Sequence, residues 1–195
     1  MGLMKDRMLR GELYIADDEE LAADFARAQD LLVRYNGTAE AEQAERDSIL
    51  RSLLGAVGDR VVIRPPFRCE YGTRITIGAR TFVNYECLML DVAPITIGSA
   101  CQIASRVQLL TPTHPIDPEP RRTGWEAARP ITLGDNVWLS GGVTVCPGVT
   151  IGDDTVVGAG AGVAGDLPAG VVATGVPARV LREIDERDRV EVPEL

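Results

Sequence analysis

The chain has 195 residues and a formal net charge of −9 at pH 7. This length favours one domain of ordinary size with a small appendage. The acidic balance argues against nucleic acid or an anionic membrane as the main partner. No apolar run is long enough to span a bilayer, and residues 1–10 are charged where a signal peptide would be apolar. We therefore expect a cytoplasmic protein.

The first predicted element is a helix over residues 21–35. Its apolar residues recur at steps of four and three, which places them on one face. Asp17 or Asp18 can cap its start, and Asn36-Gly37 ends it. A second helix is expected over about 39–54. We predict that residues 1–58 form a helical cap over one end of the next domain, where strand edges would otherwise be unpaired.

After the helical part, aliphatic residues recur at every sixth position in three runs. These runs are Ile77, Val83 and Met89; Ile97, Ile103 and Leu109; and Leu133, Leu139, Val145, Ile151, Val157 and Val163. A strict step of six fits neither a helix nor a long alternating strand. It fits short strands with a corner after each, three hexapeptides to a coil, and so predicts a mainly β fold, a parallel β-helix. The aliphatic residues point inward, and the small residue after each lets the chain turn.

Three segments interrupt or flank the repeat. Residues 61–72 are rich in proline and aromatic side chains, which predicts an irregular first coil. The step of six is suspended across 115–130, so this long loop must protrude, and loops of this length are usually functional or disordered. The charged stretch from Arg179 predicts a short exposed helix. The β-helix is expected over residues 59–183, followed by a tail at 184–195.

Histidine and cysteine usage restricts the chemistry. His114 is the only histidine, and it lies at the end of a coil directly before the protruding loop. A zinc enzyme on a β-helix needs several histidine ligands, so we expect no metal requirement. The four cysteines include no Cys-x-x-Cys pair, and Cys87 and Cys101 fall at inward positions typical of small buried residues. A solvated histidine without a role is the alternative for His114.

Short segments along nearly the whole chain match one known family. They are Gly11-Glu12-Leu13-Tyr14, Pro65-Pro66-Phe67, Tyr71-Gly72, Asn84-Tyr85, Leu90-Asp91, Thr113-His114-Pro115, Arg129-Pro130-Ile131, Asn136-Val137-Trp138, Pro147-Gly148-Val149-Thr150-Ile151-Gly152 and Gly175-Val176-Pro177-Ala178-Arg179-Val180. In these segments the chain resembles the hexapeptide-repeat acyltransferases, and among them the maltose and galactoside O-acetyltransferases. The resemblance implies a left-handed β-helix with an N-terminal helical cap.

The resemblance also implies an activity, the transfer of acetyl from acetyl-CoA to a sugar hydroxyl. The expected acceptor group is the 6-hydroxyl of maltose, glucose or a galactoside. His114 matches the family's catalytic base, and imidazole can take the hydroxyl proton near neutral pH. Asn84 matches the residue that supports the acceptor and the transition state, and Gly141 one that donates a backbone N–H to the oxyanion. Related enzymes acting on an antibiotic or serine, and a non-catalytic β-helix, are the alternatives.

Further site residues follow from the same resemblance. The acceptor contacts are expected at Asp17, Arg27, Glu70, Asn84, Asp91 and Trp125, although an ordinary surface position is the alternative for the charged ones. The coenzyme A contacts are expected at Ala104, Trp138, Gly141, Ala159, Ala164, Gly165, Arg179 and Arg182. Relatives often have Thr-Lys in place of Ala164-Gly165, which would weaken donor binding here. A homotrimer is expected, with sites between subunits and the loop bearing Trp125 reaching a neighbouring subunit.

Overall fold

Short strands dominate the structure, a computed structural model that describes residues 2–193. The helices are α1 (Leu3–Leu9), α2 (Glu19–Asn36), α3 (Gln43–Leu53) and α4 (Pro118–Arg122), with a 3₁₀ helix at Glu186–Asp188. The strands are β1 (Ala56–Val57), β2 (Val62–Ile63), β3 (Phe67–Cys69), β4 (Ile75–Ile77), β5 (Phe82–Val83), β6 (Cys87–Leu90), β7 (Ile95–Ile97), β8 (Gln102–Ile103), β9 (Gln108–Leu110), β10 (Pro112–Thr113), β11 (Ala127–Ala128), β12 (Ile131–Leu133), β13 (Trp138–Leu139), β14 (Thr144–Val145), β15 (Thr150–Ile151), β16 (Val156–Val157), β17 (Gly162–Val163), β18 (Val171–Thr174) and β19 (Arg179–Glu183).

Three sheets form the faces of a prism. Sheet I has the strand order β1-β4-β7-β12-β15, sheet II has β19-β18-β16-β13-β8-β5-β2, and sheet III has β17-β14-β9-β6-β3. Consecutive strands of the repeat belong to consecutive sheets, so three strands complete one coil. Every pairing between coils is parallel and keeps register, for example Ile77 with Ile97 and Ile97 with Leu133. The parallel β-helix predicted from the repeat is confirmed, and its core is the stacked column of inward aliphatic residues.

The corners of the coils explain why small residues follow the aliphatic ones. The left-handed backbone conformation falls three positions after most of the aliphatic residues, as at Arg80, Arg106 and Gly142, so the small residue is not the one that turns the chain. At Gly98 the neighbouring coil is too close for a side chain, because a Cβ there would lie 2.4 Å from the carbonyl oxygen of Gly134. The close approach of successive coils therefore selects the small residues.

The helical cap covers the end of the prism formed by its first coil, where α2 contacts β3 and α3 contacts β1. Asp18, rather than Asp17, caps α2 by accepting a hydrogen bond from the backbone N–H of Glu20 at 2.9 Å. The helix ends at Asn36, whose side chain bonds both backbone groups of Phe67 at 2.9 Å. Both predicted helices are present, α1 was not predicted, and β1 already pairs within sheet I before residue 59.

Two expectations about the flanking segments were wrong. The proline-rich lead-in forms a regular coil, since β2 pairs with β5 and β3 pairs with β6 in register. The stretch from Arg179 forms strand β19, antiparallel to β18, because the edge of sheet II offers it free backbone groups. Thr113 lies half-buried in β10, which pairs with β11 at the base of the protruding loop.

Candidate active site

The residues expected in the site fall mainly on two edges of sheet III. The II–III corner, between sheets II and III, carries Asn84, Ala104, Gly141 and Ala159, and Trp138 lies just before this corner in strand β13 of sheet II. The III–I corner, between sheets III and I, carries Glu70, Asp91, His114, Ala164 and Gly165. The four-residue strand β6 that separates the corners is about 13 Å long at 3.3 Å per residue. One chain therefore does not bring Asn84 and His114 together.

The II–III corner presents a row of free backbone donors. Within residues 2–193, the backbone N–H groups of Ser105, Gly141 and Ala159 donate no hydrogen bond, although the adjoining corner residues are bonded, as in Gly142 N to Ser105 O at 2.9 Å. These three positions stack on successive coils. Coil spacing of about 4.8 Å sets the repeat of the row.

Asn84 completes this row from the coil below. Its Oδ1 accepts the backbone N–H of Tyr85 at 2.9 Å, which fixes the amide and leaves Nδ2 as a donor with no partner among the described residues. Asn84, Ala104 and Trp138 also line one cavity of about 160 Å³. The Trp138 side chain is 49% exposed on the outer face of sheet II. The corner is thus suited to binding an extended polar ligand.

His114 lies on the III–I corner beside an acid that the sequence did not single out. Its side chain is 56% exposed, and its Nε2 lies 3.9 Å from Oε2 of Glu126, which is 18% exposed. Glu126 stands at the far end of the same loop and is brought back by the β10–β11 pairing.

The loop is anchored on its own chain. Tyr14 and Glu126 exchange two backbone hydrogen bonds of 2.9 Å, in an antiparallel bridge. The guanidinium of Arg7 lies 5.7 Å from the ring centroid of Trp125. Burial and then the Glu126 carboxylate raise the pKa of Tyr14, so its hydroxyl stays protonated. Trp125 thus packs on the N-terminal segment of the same chain, which holds Glu126 beside His114.

Asp91 serves the architecture of the III–I corner. The residue is fully buried, and its carboxylate accepts hydrogen bonds from the backbone N–H groups of Glu70 at 3.1 Å, Tyr71 at 2.9 Å and Arg74 at 3.2 Å. These bonds hold the turn that carries Glu70 and Tyr71. The geometry gives Asp91 a positioning role.

Glu70 lines a second cavity, of about 290 Å³, between the prism and α2. Burial first, and then the carboxylates of Asp91 and Glu126, raise the pKa of Glu70. The same burial, together with the Glu70 charge, raises the pKa of the neighbouring Tyr71. This cavity lies on the same corner as His114 and is a candidate acceptor site.

The remaining expected residues occupy separate positions. Asp17 is exposed beside the cavity-lining Ala16, whereas the Arg27 guanidinium donates to the backbone carbonyls of Ser52 and Tyr71 at 3.0 and 3.1 Å. In β19, Arg182 forms two 2.6 Å hydrogen bonds with Asp188, while Arg179 is exposed.

Glu126 is the main site residue that sequence reasoning missed. The only signal was its place in the loop after His114. Glu126 could be placed beside His114 only if the pairing of β10 with β11 at the base of the loop were known. Neither segment has an alternating pattern that predicts a strand.

Two further properties concern the whole described chain. Among residues 2–193, no group of three or more His, Cys, Asp or Glu side chains is arranged to hold a metal ion. None of the helices in this range has the length and apolar character needed to cross a membrane.

A prism of hexapeptide coils with a helical cap and one histidine at a corner defines the class of hexapeptide-repeat acyltransferases. Residues 7–58 match the maltose acetyltransferase hexapeptide capping motif, and residues 130–165 match the bacterial transferase hexapeptide. Nodulation protein L of Rhizobium meliloti is 48% identical over 90% of this chain and 96% of its own length.

Solved structures give the same result. A maltose O-acetyltransferase from Clostridium difficile has a TM-score of 0.92 and 43% identity, covering 94% of this chain and 98% of that one. A galactoside acetyltransferase in complex with coenzyme A also has a TM-score of 0.92, with 38% identity over 95% of this chain and 92% of that one. The chain belongs to the maltose and galactoside O-acetyltransferase family and is a left-handed β-helical acetyltransferase.

Proposed function

We propose that the protein transfers acetyl from acetyl-CoA to a sugar hydroxyl, the 6-hydroxyl of glucose, maltose or a galactoside. The observation that carries this proposal is the position of His114, exposed beside Glu126 on the corner that also holds a cavity of about 290 Å³. The similar proteins named as maltose and galactoside acetyltransferases support the choice of a sugar acceptor.

In this mechanism His114 is the general base. As the acceptor oxygen attacks the thioester carbonyl carbon, the imidazole takes the hydroxyl proton on the ring nitrogen that does not face Glu126. The C–O bond forms, the C–S bond breaks, and the proton passes to the departing sulfur, which leaves as the coenzyme A thiol. The Glu126 carboxylate, 3.9 Å from Nε2, stabilises the transient imidazolium.

The tetrahedral intermediate needs donors that are already in place. The free backbone N–H of Gly141 and the Nδ2 group of Asn84 provide them on the II–III corner. Acetyl-CoA is the co-substrate in this proposal. Its extended arm would follow the row of N–H groups at Ser105, Gly141 and Ala159, past the exposed Trp138. General-base chemistry of this kind requires no metal.

We further propose a homotrimer with sites between subunits. Reacting groups must lie about 3–3.5 Å apart, yet His114 and Gly141 are on opposite edges of sheet III in one chain. A threefold arrangement brings the III–I corner of one prism to the II–III corner of the next, and makes every interface equivalent. It would also cover outward apolar side chains of sheet II such as Val156 and Val172.

Complementation tests this assembly. His114→Ala and Gly141→Trp chains should each be inactive as homotrimers. Co-refolded, they should regain part of the wild-type rate, because some interfaces combine an intact His114 with an intact Gly141. Mixed trimers confirmed by mass, but with no activity, would show that each site is built from one chain.

An acceptor screen tests the reaction itself. Purified protein, acetyl-CoA and a panel of maltose, glucose, galactosides, serine and a hydroxylated antibiotic would be followed by free thiol release. We expect turnover with sugars and acetyl ester at the 6-position by NMR. Turnover confined to serine or the antibiotic would replace the sugar with a non-sugar acceptor.

A further inference from the structure

The carboxylate of Glu70 is partly buried, yet no described residue donates a hydrogen bond to it. It is half-buried at the wall of a cavity of about 290 Å³, whose other lining residues are Ala16, Leu21, Ala22, Phe25 and Tyr71. Only the backbone of Glu70 is bonded, its N–H to Asp91 and its carbonyl to Gln29. Within residues 2–193 the carboxylate accepts no hydrogen bond. A partly buried carboxylate without a donor is costly.

Among residues 2–193, no cationic side chain forms an ion pair with the Glu70 carboxylate. Arg27 is occupied by two backbone carbonyls. The Arg74 guanidinium, whose Nε and Nη1 are buried without a hydrogen-bond partner, interacts electrostatically with Asp91, Tyr14 and Tyr71. Burial first, and then the charges of the Asp91 and Glu126 carboxylates, raise the pKa of Glu70. The open side of Glu70 is the cavity, so a ligand bound there can donate to the carboxylate in place of solvent.

We infer that the acceptor is an amino sugar, whose ammonium group binds the Glu70 carboxylate while one of its hydroxyl groups faces His114. This inference rests on the proposed function and narrows its substrate class. An ammonium is a compact cation with three donors, which suits a single carboxylate in a small cavity. The apolar residues of the wall, Leu21 and Phe25 among them, would contact the carbon face of the ring.

The pairing also determines which group reacts. A nitrogen that is protonated and bound to Glu70 has no lone pair, so it cannot attack the thioester. The hydroxyl oxygen attacks instead, its proton goes to His114 and then to the leaving sulfur, and the product is an O-acetyl ester with a free amine.

Three matched acceptors test the inference at pH 7: glucosamine, N-acetylglucosamine and glucose, each with saturating acetyl-CoA and thiol detection. We expect kcat/KM for glucosamine to exceed the value for each neutral sugar by about tenfold or more, the size of one charge-assisted hydrogen bond. Glu70→Gln should bring the ratio of glucosamine to glucose close to one. Asp30→Asn, an exposed acid on α2, removes the same charge and should keep the ratio.

Several results would overturn the inference. Equal use of glucose and glucosamine by the wild type, a preference that survives Glu70→Gln, or an N-acetyl product would each do so while leaving the transferase proposal intact. Thiol release with none of the three sugars would overturn the sugar acceptor as well. Melting temperatures of both variants at or above the wild-type value would exclude misfolding as the cause of a lost ratio.

Discussion

Replacing Asp91 tests whether this buried acid holds the III–I corner. In Asp91→Asn, a neutral amide replaces a carboxylate that accepts three backbone N–H groups at 2.9 to 3.2 Å. Asn offers one oxygen, so at least one N–H would lose its partner and the others would lose a charged acceptor. Hydrogen bonds to charged groups contribute about 1.5–3 kcal/mol each, and an unpaired buried donor costs about 1–3 kcal/mol.

We therefore expect Asp91→Asn to lower the free energy of unfolding by roughly 3 kcal/mol. For a chain of this size that corresponds to a fall in Tm of roughly 6–12 °C at 2–4 °C per kcal/mol. Calorimetry on the purified variant measures it. Asp17→Asn is the matched control, because Asp17 is an exposed acid outside any helix or strand and should leave Tm within about 1 °C.

A variant Asp91→Asn with the wild-type Tm and a raised acceptor KM would refute this reasoning. It would mean that the carboxylate is free to bind the acceptor, as the family resemblance by itself suggests. A fall in Tm together with a loss of activity in proportion to unfolding would support the positioning role.

Two further predictions concern the same corner, and a third concerns metal dependence. His114→Ala should lower kcat by roughly 10²–10⁴-fold with Tm unchanged, since the side chain is 56% exposed; near-wild-type turnover would remove His114 from the mechanism. Because the pKa of Glu70 is raised in the folded state, its ionisation weakens folding as the pH rises from the ordinary carboxyl range to that raised pKa. Glu70→Gln should thus raise Tm at pH 7 and lose this advantage below about pH 4, the ordinary carboxyl range; an advantage independent of pH would contradict the burial argument. Chelation followed by dialysis should leave the rate unchanged, and a loss restored by zinc would reverse our expectation of metal independence.

The predicted residues differ in how well their environment could be derived from the sequence. The inward orientation of the aliphatic residues from Leu133 to Val163 could be predicted from their spacing alone. A step of six residues fits a β-helix in which every one of these side chains points inward. The β19 strand was mispredicted as helix because its charges match an exposed helix. Its conformation is decided by the free edge of sheet II, which is a tertiary feature.

The sequence by itself determined the β-helix, its helical cap, the lone histidine before a protruding loop and the family. Each of these depends on local spacing or on residue identity, and both can be read directly from the sequence. Only the tertiary structure decided that Glu126 lies beside His114 and that His114 and Asn84 are on opposite edges of sheet III. It also decided that the Asp91 carboxylate accepts hydrogen bonds from three backbone N–H groups. These depend on where each coil turns and on how a loop folds back, and the free energy that decides them comes from contacts between residues far apart in the chain.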